Sequence, residues 1–167
     1  MAGRLAWLGG ATLVLSVFLT ILAVGAGYAQ TRKPTGQESE AIRTCAKKYA
    51  DDVSAGEQNC VFNLVADPCT KKSRGAGDVG AADCYAVENV IWDNLLNEDF
   101  QILKDTLDDE QAARLRDMQR AWIAYRDTTC HFYDDKIRGS MAIPMHAACV
   151  TRETARRALL LKFFSGL

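Results

Sequence analysis

Histidine is almost missing from this chain: it occurs twice in 167 residues, alongside three prolines and no surplus of either charge, with 20 Lys and Arg against 21 Asp and Glu. Each scarcity excludes something. Two histidines leave little room for imidazole acid–base or metal chemistry. Balanced charge offers no basic surface of the kind that nucleic acid requires, so nucleic acid is not an expected partner. There is no G-x-S-x-G, no H-E-x-x-H and no Gly-rich phosphate loop, which removes the common signatures of hydrolases, metalloproteases and nucleotide enzymes. No alternating strand pattern of useful length occurs. What is present is the composition of a folded domain, 49% hydrophobic and 25% charged, in a length that suits one domain.

Residues 1–29 read as an export signal. Arg4 is the only charge, Leu5 to Val24 is apolar, and Gly27-Tyr28-Ala29 fits the small-x-small pattern for cleavage after Ala29. About 20 apolar residues can also span a bilayer, so an uncleaved anchor is the alternative. Gly9, Gly10, Thr12 and Ser16 dilute the run and favour cleavage. A membrane becomes a partner only if the segment is retained. Either way the rest of the chain is expected in the periplasm or secreted. It divides into a flexible leader at 30–37, a Cys-containing helical extension at 38–80, and a main helical domain at 81–167.

All six cysteines, Cys45, Cys60, Cys69, Cys84, Cys130 and Cys149, follow the export segment. An even number in an exported protein reads as a disulfide framework. Sequential pairing would close three short loops, each contributing about 3 kcal/mol in the chain-entropy account. The spacings of 15, 15 and 19 residues suggest the sequential pairs, with a nested scheme, Cys45–Cys84 around Cys60–Cys69, as the alternative; Cys130–Cys149 is common to both. Cys130-His131 and His146-x-x-Cys149 also offer four metal ligands. Exported thiols oxidise, however, and adjacent Cys and His rarely face one ion, so neither metal nor cofactor is expected.

Residues 81–138 contain no Gly and no Pro. Apolar residues recur there at helical steps: Tyr85, Trp92, Leu96, Phe100, Leu103 and Leu107, then Leu115, Met118, Trp122, Tyr125, Phe132 and Ile137. Thr106 or Asp108 can cap a new helix, so the stretch is expected as two long helices folded back as a hairpin near residue 107. A last helix is expected over 145–164, after a break at Gly139 to Pro144. Upstream, the pattern predicts a helix over 38–53 and a shorter one over 57–66 that ends at Asp67-Pro68, with an exposed loop from Lys71 to Gly80. The fold class is all-α, a small disulfide-crosslinked bundle with a long helical hairpin and a C-terminal helix.

Charge is uneven. Residues 81–135 carry 13 acidic and 5 basic side chains, and residues 136–167 carry 6 basic and 1 acidic. The acidic excess is either a solvated face or a surface that steers a cationic partner. The basic last helix is able to answer it within the fold.

The run from Gln119 to Cys130 carries a W-x-x-[FY]-R-D-x-x-C pattern in Trp122, Tyr125, Arg126, Asp127 and Cys130. A Gly-containing loop at Gly139, a second Cys at 149, and T-x-x-R in Thr154 and Arg157 follow. Upstream, Asp93, Leu96 and Asn97 fit D-x-x-L-N-x-x-Y, with Phe100 in place of the Tyr. Together, over about residues 84–165, these resemble the LprI-like proteins, small exported domains named for a mycobacterial lysozyme inhibitor. That namesake is a lipoprotein, and no Cys here lies near residue 29 to carry a lipid. The 45–69 region looks like an extension found in part of the family. The resemblance implies a non-enzymatic binding protein whose partner is a cationic muramidase. A structural or adaptor protein of the cell envelope is the other reading.

Read from the residues alone, Asn97, Arg126, Asp127 and Arg157 are polar groups that tie helices together, and Trp122 and Tyr125 lie on a buried stripe. The candidate contact with a partner is the loop of Arg138 and Ser140, which a Cys130–Cys149 crosslink would constrain. Asp105, Asp108 and Asp109 are the candidate steering charges.

Overall fold

The structure, a computed structural model, describes residues 32–167, so the export segment expected at 1–29 lies outside the described residues. The described residues form six α-helices and one short 3-10 turn, without a strand. The helices are α1 (Gly36–Lys48), α2 (Val53–Cys60), α3 (Ala66–Lys72), α4 (Gly77–Thr106), α5 (Asp109–Ile137) and α6 (Ala142–Ser165). None of them is long and apolar enough to cross a membrane.

Local chemistry sets most of the helix ends. Thr35 accepts from the Glu38 backbone while the Glu38 carboxylate accepts from the Thr35 N–H, a capping box that starts α1. Arg32 adds two contacts to Glu38, at 2.9 and 2.6 Å. The residues expected as a leader are therefore fastened to α1 from Arg32 onwards. Asp108 and Gln111 form a second capping box at the start of α5, so the break near residue 107 falls where the sequence placed it. Three expectations change. Asp67-Pro68 opens α3 instead of closing a helix, because Pro lacks only an N–H that a first turn leaves unpaired. Pro144 likewise sits in the first turn of α6, which starts at Ala142. The loop expected over 71–80 shrinks to the Arg74–Ala76 turn, and Gly77, with φ of 63°, starts the long α4.

The six cysteines are joined as Cys45–Cys60, Cys69–Cys84 and Cys130–Cys149, with Cα–Cα separations of 5.8, 5.6 and 5.5 Å. These are the sequential pairs. The first two hold the small helices together and onto α4, and the third joins α5 to α6.

The chain folds back at the α4–α5 break as expected, and the last helix packs against both long helices. α6 lies along α4 and also against α5, while α4 and α5 make few direct contacts. α6 runs parallel to α4: Thr151 donates to the Tyr85 carbonyl near one end, and Lys162 pairs with Asp99 near the other. It runs antiparallel to α5, as the Cys130–Cys149 and Gln119–Arg157 links require. Ala155 and Ala158, both buried, give α6 a narrow face for its close neighbours. The core is a single cluster that takes in Ile42, Val65, Trp92, Leu96, Leu115, Leu159 and Leu161, so the 38–80 region shares it with the later helices. α2 approaches α6 where Gly56 stands: a Cβ there would meet Leu159 Cδ2 at 2.9 Å.

A fully buried carboxylate organises the turn between α2 and α3. Glu88 of α4 accepts from the Phe62 N–H at 2.7 Å, the Ala66 N–H at 2.8 Å and Trp92 Nε1 at 3.0 Å. Ala66 is the first residue of α3, whose own N-cap residue supplies no side-chain cap, so Glu88 caps that helix from α4. Burial pushes the Glu88 carboxyl above its ordinary value, against the opposing pull of its three donors.

Glu38 shows the opposite sign. Hydrogen bonding to Arg32 holds its carboxyl down at about 2. A carboxyl depressed by folding stabilises above its unfolded value of 4.5 and loses that contribution as pH falls toward 2. In urea melts between pH 6 and pH 2, Glu38→Gln should therefore lose less stability on acidification than the parent chain. Parallel pH profiles for the two would refute the assignment.

Candidate functional site

The end of the bundle where α5 turns into α6 gathers the features of a contact surface. α5 stops because Arg138 and Gly139 take positive φ, 50° and 119°. Glycine accepts this readily, whereas a non-glycine residue there stores about 1–3 kcal/mol of strain. The turn is closed by Ala142 N–H to the Gly139 carbonyl and Ile143 N–H to the Ser140 carbonyl. Arg138 Nε donates to the Asp135 carbonyl at 3.3 Å. Around it four large apolar side chains face solvent: Phe132 and Met141, each 62% exposed, with Ile143 and Met145. Behind the turn, the buried Cys130 joins Cys149. The tip is thus exposed, apolar at several points, and braced by a covalent link.

The acidic candidates lie elsewhere. Asp108 is the N-cap of α5, Asp109 is in its first turn, and Asp105 is on the last turn of α4. α5 has 29 residues, so these three stand roughly 40 Å from Arg138 and Ser140 at 1.5 Å per residue. The structure does not bring the two groups together. Asp108 already has a local task in its capping box. The basic last helix answers the acidic region at Lys162, which pairs with the buried Asp99 at 2.7 Å.

The family-pattern residues also depart from the expected tie between helices. Asn97 is exposed and bonds Asp93 on its own helix. Arg126 pairs with neighbouring Asp127 at 2.8 Å and stacks over Trp122 at 4.9 Å from the ring centre. Tyr125 is exposed and Trp122 half-buried. The reason is that α6 occupies the face of α4 that α5 would have covered, which leaves α5 only a narrow seam. Arg157 alone of the four polar groups crosses between helices, its buried guanidinium donating to Gln119 Oε1 at 2.9 Å. Burial lowers its tendency to hold a proton. Thr154 is buried and donates to the Val150 carbonyl within α6.

Three features escaped the sequence reading. Glu88 and Asp99 sit in a helix rich in carboxylates, and nothing in spacing alone distinguishes a buried acid from a solvated one. The third is a cluster of His131, Asp134 and His146 just behind the tip, with one potential ligand atom from each within 4.8 Å of the others. A signal for it existed, since each histidine lies within three residues of a cysteine of the last pair. The cysteines are oxidised, which removes the four-ligand scheme, but their bond is what draws the histidines together.

No curated protein and no solved structure matches this chain. The family model described as lysozyme inhibitor LprI matches residues 69–161, a stretch that takes in two of the three disulfides, the Trp122–Cys130 pattern and the tip. With more than half of its length matched, the chain belongs to the LprI family.

Proposed function

We propose that this chain is an exported, non-enzymatic binding protein that inhibits a lysozyme-type muramidase by inserting the α5–α6 tip into the enzyme's cleft. The observation that carries the reading is the tip itself: an exposed turn with positive φ at Arg138, apolar side chains on either side, and a disulfide behind it. A muramidase cleaves with two carboxyl groups in a groove. A narrow, pre-ordered turn can enter such a groove with little further loss of conformational freedom. Arg138 is the group to pair with a cleft carboxylate, and Ser140 is the hydrogen-bonding neighbour. The family description supports the choice of partner. The paired cysteines fit export to an oxidising compartment.

The contact is assigned to the tip without the acidic turn. Arg138→Ala and Ser140→Trp should each weaken inhibition about tenfold or more, the range of a hot-spot loss, with helical circular dichroism unchanged. Asp105→Asn and Asp109→Asn should leave inhibition within about twofold at physiological salt, where exposed charges are screened beyond roughly 8 Å. Full inhibition by both tip variants would remove the tip from the account. The separation of acidic turn and tip is also what an envelope adaptor would tolerate. That reading gains if the tip variants lose an envelope partner in pull-downs while no muramidase responds to the parent protein.

A further inference from the structure

The chain has two histidines, on different helices, and the fold brings their rings to 4.9 Å between centres in an edge-to-face arrangement. His131 follows Cys130 on α5, and His146 precedes Cys149 by three residues on α6, so the disulfide fixes their separation. Asp134 stands three residues beyond His131, on the same face of α5. His146 Nδ1 lies 2.7 Å from Asp134 Oδ2. His131 Nδ1 lies 2.7 Å from the Asp127 carbonyl. A carbonyl only accepts, so Nδ1 of His131 carries a proton, and Nε2 is the ring atom left to meet a ligand. A backbone acceptor that fixes the ring and tautomer in this way is the usual companion of a metal-ligating imidazole.

The geometry points to a divalent transition-metal site formed by His131, Asp134 and His146, of the two-imidazole, one-carboxylate class that suits Zn2+. Nitrogen and carboxylate donors in this combination favour Zn2+ and its neighbours over Mg2+ or Ca2+, which prefer oxygen alone. An ordinary hydrogen bond accounts for Asp134 with His146. It leaves unexplained a second imidazole held edge-on beside them by its own backbone hydrogen bond. Three protein ligands leave a fourth position for water or for a donor atom from a partner. His131 and Asp134 are exposed and His146 half-buried, so an ion can enter from solvent. Joining α5 to α6 here, about one helical turn from Arg138, the ion would brace the tip as a second crosslink. The inference stands whether or not the partner is a muramidase.

The test uses protein exported into an oxidising compartment, shown by thiol assay to have no free cysteine, with zinc chloride as the probe. Calorimetry should give one Zn2+ per chain with a micromolar Kd. The melting temperature should rise with zinc, and imidazole NMR signals of both histidines should shift together. His131→Ala and His146→Ala should each weaken binding about tenfold or more and abolish the thermal shift. Asp134→Asn, which preserves side-chain shape, should do the same and guards against a variant that fails to fold. Magnesium chloride should give neither heat nor shift. Absence of zinc binding at millimolar metal would overturn the site. So would undiminished binding in the His131 variant, or a response confined to one histidine.

Discussion

Replacing Cys130 and Cys149 together with alanine should lower the unfolding free energy by about 3 kcal/mol, and should loosen the tip more than any other part of the fold. The size follows from loop closure: a separation of 19 residues removes about 3 kcal/mol of denatured-state freedom in the chain-entropy account, within a usual range of 2–5. The location follows from packing. α5 fully buries only Ala112, Leu115 and Cys130 and packs Met118 and Trp122 against the core, so beyond Trp122 little apolar contact holds it to the bundle. Without the crosslink, the last turns of α5 and the turn at 138–141 depend on the Asp134–His146 contact and a few backbone hydrogen bonds. Amide exchange should accelerate over about 126–149 while α4 stays protected. Inhibition should weaken with it, because the tip would lose its pre-ordering. Replacing Cys45 and Cys60 is the control: a comparable fall in stability, with the exchange rates of the tip unchanged. Equal loosening of the tip in both variants would contradict this division.

Glu88→Ala should be the most damaging single substitution away from the disulfides, at about 3–5 kcal/mol. Three buried donors, the Phe62 N–H, the Ala66 N–H and Trp92 Nε1–H, converge on this carboxylate. Each loses its acceptor, and an orphaned buried donor costs about 1–3 kcal/mol. α3 also loses its only observed side-chain cap, and Phe62 loses the hydrogen bond that accompanies its positive φ of 68°. Glu88→Gln should fall between alanine and the parent chain, since one carbonyl oxygen remains while the amide NH2 faces a donor. The pH dependence runs opposite to that of Glu38. Burial raises the Glu88 carboxyl, so its contribution is fully present below the unfolded value of 4.5 and declines as pH rises through the folded one. Thermal melts of the three chains test the ranking, with a fall of roughly 10–20 °C expected for alanine. A melting temperature within a degree of the parent's for Glu88→Ala would show that the α2–α3 turn does not rest on this residue.

The all-α architecture was legible because a stretch from 81 to 138 without Gly or Pro, apolar at helical spacing, has few alternatives. The α4–α5 break was legible because Asp108 and Gln111 spell a capping box. Prolines misled where they did because a Pro at a helix boundary marks an end or a beginning equally well: Pro68 and Pro144 both open helices. The partner of each helix face was not legible. Period 3.6 identifies an apolar stripe on α5 but not how wide a seam the neighbours leave for it, so Tyr125 and Phe132 were expected inside and lie outside. Arg138 and Ser140 were recognisable as a constrained loop from the break and the flanking cysteines. The distance from that loop to Asp105, Asp108 and Asp109 was hidden until the length and direction of α5 were known. His131 and His146 needed the Cys130–Cys149 bond to be read as a scaffold for their neighbours.

The most direct measurement is a titration of the oxidised, exported protein against a panel of lysozyme-type muramidases, following the clearing of cell-wall suspensions. Dose-dependent, saturable inhibition of at least one enzyme is expected, displaced by an oligosaccharide that occupies the same cleft and weakened by Ser140→Trp. No inhibition across the panel at micromolar excess, or inhibition indifferent to both the oligosaccharide and the Ser140 variant, would contradict it.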